Sequence, residues 1–214
     1  YVPAYPGGVI LEQNPEAGAK VKSGRRVFVT INSYNQKMVT IPYVTGYSLR
    51  QAKSNLEMAG LEIDKLIYQS DLATNNVLEE RYNGRIIRPG NKVQAEMGSG
   101  ITLVVGLGSE DAVQAVPRLT GFSAREAKSR LWEAGFNVGR IKRDAGINLL
   151  NEKEAQVCAQ SPAAGTRLGL GTSVDFTLTL DEKKIEEGRK QAERAMRAAA
   201  KAHAEAADSI AKTK

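Results

Sequence analysis

The chain has 214 residues, 42% of them hydrophobic, and a net charge of +6 from 30 Lys and Arg against 24 Asp and Glu. That apolar content suffices for packed cores, but a single cysteine and a single histidine exclude an intramolecular disulfide and a closed zinc site. Basic and acidic residues are evenly matched, 8 against 7 over residues 36–108 and 9 against 8 over 109–180, unlike the clustered Lys/Arg footprint of a nucleic-acid binder.

From the N-terminus, an apolar pair, Ile10-Leu11, precedes Gly18-Ala19-Lys20-Val21, a second glycine, Gly24, and the alternation Val27, Val29, Ile31. This predicts two strands and no helix. The glycine signature returns as Gly90-Asn91-Lys92-Val93 and as Gly165-Thr166-Arg167-Leu168, each followed by a further glycine and an alternating run. The chain therefore repeats about every 73 to 75 residues, and each repeat is a small module with its own thin core. The division that follows is 1–35, the second half of a module; 36–108 and 109–180, two full modules; and a tail, 181–214. Because the first unit lacks the half that the others have, the chain is expected to be part of a longer protein.

In the first full module, Val39 to Tyr43 reads as an extended lead-in, with Pro42 fixing the backbone. Ser48-Leu49-Arg50-Gln51 is a capping box that starts a helix, Leu49, Ala52, Leu56 and Ala59 form its apolar stripe, and Gly60 stops it. Strands are expected around Leu61–Asp64, at Val77-Leu78 and over Ile101, Leu103 and Val105. The stretch Arg81–Arg88 is an insertion around Asn83-Gly84, a tight-turn signal. The second full module repeats the pattern. Ser123-Ala124-Arg125-Glu126 is the box, Ala124, Ala127, Leu131 and Ala134 the stripe, and Gly135 the stop; strands follow at Phe136–Gly139, at Val157-Cys158 and over Val174, Phe176 and Leu178. The fold class is α+β: tandem small modules, each one helix packed on a three-stranded β-sheet, plus a C-terminal helix rich in Ala and charge.

That tail has ten Ala, one Gly and no Pro, which is strong helix propensity with little to bury. Met196, His203 and Ile210 sit seven apart and form a narrow seam. The seam suits weak self-association or docking on a module, against a plain solvated helix.

Few residues invite chemistry. Cys158 sits in a strand as a small apolar filler, the Gly-rich pieces flank strands where a phosphate cradle needs a following helix, and no catalytic residue, metal site or cofactor is expected. Trp132 stands where the preceding repeat has Glu57, so it is expected outside the helix stripe and partly exposed, either packing on the next module or touching a ligand. Arg85, Arg88, Arg140 and Arg143 fall on loops or strand edges, either solvated or binding a carboxylate or phosphate.

Taken together, Val116, Pro117, Leu119, Gly121, Ser123, Glu126, Ala127, Leu131, Ala134, Gly135, Phe136, Val157, Gln160, Pro162, Gly165, Leu168, Gly171, Thr172, Val174, Phe176 and Leu178 resemble the PASTA domain. Ile10, Gln13, Pro15, Gly18, Val21 and Gly24 resemble its second half, while the middle unit departs from it with Glu80 where Gln is usual. The resemblance spans roughly residues 8–180. It implies non-catalytic modules outside the bacterial membrane, in penicillin-binding proteins or serine/threonine kinase ectodomains. They would bind peptidoglycan fragments (muropeptides, sometimes β-lactams) or other envelope proteins, or act as spacers. It further implies an anchoring membrane segment upstream of residue 1.

Overall fold

The structure is a computed structural model that describes residues 2, 5–108, 113–148 and 151–212, with side chains described as far as residue 205. Its elements run β1 (Ile10–Asn14), β2 (Phe28–Ile31), β3 (Met38–Thr40), α1 (Leu49–Met58), β4 (Glu62–Ser70), β5 (Val77–Tyr82), β6 (Arg85–Ile86), β7 (Gln94–Glu96) and β8 (Gly100–Leu107). They continue with β9 (Val113–Ala115), α2 (Ala124–Glu133), β10 (Asn137–Arg143), a 3-10 turn (Glu152–Glu154), β11 (Gln156–Ser161), β12 (Arg167–Gly169), β13 (Ser173–Thr179) and α3 (Glu182–Lys212). The architecture is a mixed α and β one.

Both capping boxes form. Ser48 and Ser123 each accept from the third backbone amide of their helix, and Gln51 and Glu126 reach back to the cap. The serine amide and hydroxyl donating to Glu126 hold its carboxyl below the ordinary value. After each helix the chain runs into a strand that pairs in parallel with the last strand of its repeat, β4 with β8 and β10 with β13. The intervening strand pairs antiparallel on the other side, β5 with β8 and β11 with β13. Sheet order is thus β10-β13-β11 in the last repeat and β4-β8-β5-β6 in the middle one. The fourth strand, β6, comes from the Asn83-Gly84 insertion, so the middle sheet exceeds the three strands expected. The lead-ins form small separate sheets, β3 with β7 and β9 with β12.

Two hydrophobic clusters result. Val44, Leu56, Ile101 and Leu103 lie in one, and Leu119, Leu131, Phe136 and Phe176 in the other. Each such fully buried side chain contributes about 1.5–3 kcal/mol. In the first repeat β1 and β2 pair, but Phe28 and Ile31 stay exposed, since no helix among the described residues covers them.

The tail helix docks. Ile185 and Ala192 are buried on one stripe of α3, which lies along β11. Lys184 pairs with Asp144 at 2.7 Å and Arg118 with Glu193 at 3.7 Å.

Candidate functional site

Each helix buries one residue beyond its apolar stripe, Lys53 on α1 and Trp132 on α2. Both face the joint where the two repeats meet. The expectation of a partly exposed Trp132 is corrected: the side chain is 4% exposed and belongs to the core cluster of the preceding repeat. The reason is that α2 packs on two sides, its alanine stripe on its own sheet and its Trp132 side on the neighbouring repeat.

Polar contacts fix this joint. Asn137, itself buried, accepts from Leu66 N–H at 2.7 Å and donates to the Leu66 carbonyl at 3.0 Å and the Gly171 carbonyl at 2.7 Å. β4 is an edge strand, and the Asn137 amide serves it as a neighbouring backbone would. Lys53 reaches Glu133 at 2.8 Å and Lys128 reaches Glu62 at 2.9 Å, two ion pairs that cross between repeats. Tyr68 packs beside Gly135, where a Cβ would come within 2.6 Å of its Oη. Burial there pushes the Tyr68 phenol up to about 12.

Beside the joint opens a cleft of about 520 Å³. Gln36 and Lys37 line it from the lead-in, Glu57 and Glu62 from the middle repeat, and Arg125 and Trp132 from α2. The Trp132 Nε1 donor is buried and has no hydrogen-bond partner. Lys128, also on the wall, is engaged by Glu62, while the exposed Arg125 presents a guanidinium suited to a carboxylate. Charges of both signs thus stand beside an indole on the walls of the cleft.

The structure does not gather the predicted arginines here. Arg85 and Arg88 lie exposed on and after β6, and Arg140 is exposed on β10. Arg143 makes a two-point ion pair with Glu152, at 2.9 Å for both bonds, which raises its pKa and occupies its fork. On the tail, Met196 is 43% exposed beside Gly165, His203 stands 3.4 Å from Arg167, and the Ile210 side chain lies outside the described residues. Sequence reading missed Arg125, Lys128, Glu62 and Lys37. Lys128 and Glu62 pair across repeats and Arg125 and Lys37 line the cleft, and the one visible signal was that Trp132 and Glu57 differ at equivalent positions.

The family model described as PASTA domain matches residues 114–179. A probable serine/threonine-protein kinase of Corynebacterium efficiens is 28% identical over 175 residues, which are 80% of this chain and 24% of that protein. The chain thus spans about a quarter of the length of the curated relatives it matches. Among solved structures, the three-PASTA-domain of a Ser/Thr kinase from Staphylococcus aureus aligns over 85% of this chain and 84% of that one, at 22% identity and a TM-score of 0.30. The entire extra-cellular region of the Ser/Thr kinase PrkC from Staphylococcus aureus aligns over 82% of this chain and 58% of that one, at 23% identity and a TM-score of 0.31. Residues 114–179, which hold α2 and the sheet β10-β13-β11, are thus similar to the PASTA domain, a non-catalytic binding module.

Proposed function

We propose that this chain is part of a bacterial extracytoplasmic sensor ectodomain that recognises peptidoglycan fragments, with the joint cleft as its binding site. The observation that carries the reading is that cleft: residues from two repeats and their lead-in converge on it, Trp132 among them. A muropeptide offers what such a surface takes, namely stem-peptide carboxylates for Arg125 and Lys37 and an ammonium group for Glu57. The PASTA match supports a binding role, and the kinase relatives favour a serine/threonine kinase over a penicillin-binding protein as the parent. The domain limits 36–108 and 109–180 belong to the same reading, each repeat having its own core cluster. In an alternative reading the array is a spacer that associates through residues 181–214. Of that helix, the stripe at Ile185 and Ala192 is buried along β11 of its own chain, while Met196 on the Met196–His203–Ile210 seam stays exposed.

Co-sedimentation of the whole chain with purified peptidoglycan sacculi, competed by soluble muropeptide, tests the proposal. Binding is expected, with a loss of at least about tenfold for Arg125→Glu, the equivalent of one charge-assisted hydrogen bond. Equal pull-down of wild type and variant, or none by either, contradicts it.

A further inference from the structure

Three repeats place a hydrogen-bonding side chain at one position of the strand that pairs antiparallel with the last strand of the repeat: Gln13 in β1, Glu80 in β5 and Gln160 in β11. In the last repeat the role is clear. The Gln160 side-chain oxygen accepts from Leu119 N–H at 2.8 Å, and its amide nitrogen donates to the carbonyls of Pro117 at 3.0 Å and Pro162 at 3.3 Å. It thereby pins the lead-in segment to the sheet through both its functions. Gln13 likewise donates, to the Pro15 carbonyl at 3.0 Å.

Glu80 occupies the same place in the middle repeat. It lies opposite Leu103, as Gln160 lies opposite Phe176, and it is fully buried. One oxygen, Oε2, accepts from Val44 N–H at 3.0 Å, matching the Leu119 bond. The other, Oε1, is buried and receives no hydrogen bond. An ionised carboxyl only accepts, so it has no means of making the second bond that glutamine makes. A protonated one has an O–H to donate.

We propose that Glu80 is a proton-operated latch, whose neutral carboxyl donates from Oε1 to the Pro42 carbonyl, as the Gln160 amide donates to Pro117, and whose ionisation loosens the lead-in of the middle module. The surrounding charges leave Glu80 alone. Glu79 and Arg81, its neighbours on β5, point to the other face and pair with each other. Residues 38–48 and β8 carry no charged side chain, Arg85 and Arg88 from the β6 side are exposed, and Lys53 on α1 is engaged with Glu57 and Glu133. Burial, opposed by the Val44 N–H bond, raises the acid's pKa.

The folded module therefore holds this proton more tightly than the unfolded chain does. Its stability is greatest in acid and declines as the pH climbs through the interval between the ordinary carboxyl value and the raised one. Within that interval the opening constant rises about tenfold for each pH unit, and above it the dependence ends. The inference does not rest on the ligand reading.

Amide hydrogen exchange of the whole chain between about pH 4 and pH 8 tests it, after correction for the intrinsic exchange rate, with that interval chosen to bracket ordinary and raised carboxyl values. Ile101 to Val105 report the middle module, and Val174 to Leu178 the last. Protection of the middle set is expected to fall as pH rises while the last set stays flat. Glu80→Gln abolishes the slope, and Gln160→Glu, made separately, creates one in the last module. A slope unchanged by Glu80→Gln overturns the proposal. If the variants do not fold, the carbon-13 carboxyl resonance of Glu80 in the wild type decides, because titration at or below the ordinary carboxyl value overturns the latch and titration above it supports it.

Discussion

Asn137 shows how much one side chain decides at the joint. A side-chain amide has the donor and acceptor geometry of a peptide group, so it alone among short side chains can complete an edge strand at a single residue. Its three bonds tie β10 to β4 and to the loop at Gly171. Asn137→Ala leaves buried backbone groups of Leu66 unpaired, and we predict a loss of roughly 2–3 kcal/mol of stability in urea denaturation. A change within about 0.5 kcal/mol, the size typical of surface substitutions, contradicts the assigned role. The residue was not legible beforehand. Its neighbours, Gly135 and Phe136, are repeat positions that build the module, whereas Asn137 replaces Glu62 and its partner lies 71 residues away.

At the scale of elements, much was readable. Helices α1 and α2 begin and end where the capping serines and stop glycines place them, because those signals act within a few residues. The strands at Ile101–Val105 and Val174–Leu178 follow from alternation alone. What sequence periodicity did not reveal is how the free edges are covered. The last strand of each sheet order would expose unpaired groups. In the middle repeat the Asn83-Gly84 insertion folds back as β6 onto β5, and in the last repeat α3 lies along β11. The two least repeated segments thus do the same job by different means. Docking of α3 depends on Gly188, where a Cβ would come within 1.9 Å of the Cys158 carbonyl oxygen. Gly188→Ala consequently has effects of opposite sign. It strengthens an isolated peptide of residues 181–214 by about 1 kcal/mol of helix propensity. In the whole chain it drives the helix off β11, and exchange protection at Ile185 and Ala192 falls. A whole chain stabilised by this change would show that the contact is loose.

For the molecule as a whole, repetition builds the modules and the differences between copies build the joint. Trp132 against Glu57 and Asn137 against Glu62 are where equivalent positions acquire separate tasks, while Lys53 and Lys128, identical at equivalent positions, differ only in their partners, Glu133 and Glu62. They hold two cores together and leave a cleft beside the joint, so recognition at that cleft, as proposed, would need both modules. The chain has one tryptophan, hence one indole N–H resonance, and it reports directly on that cleft. The decisive measurement is a muropeptide titration of the whole chain followed by proton–nitrogen correlation NMR. The indole signal of Trp132 and the amides of Gly60, Gly98 and Arg125 are expected to shift together along one saturable curve. An unmoved indole signal at millimolar muropeptide, or shifts confined to one module away from the joint, would contradict the account.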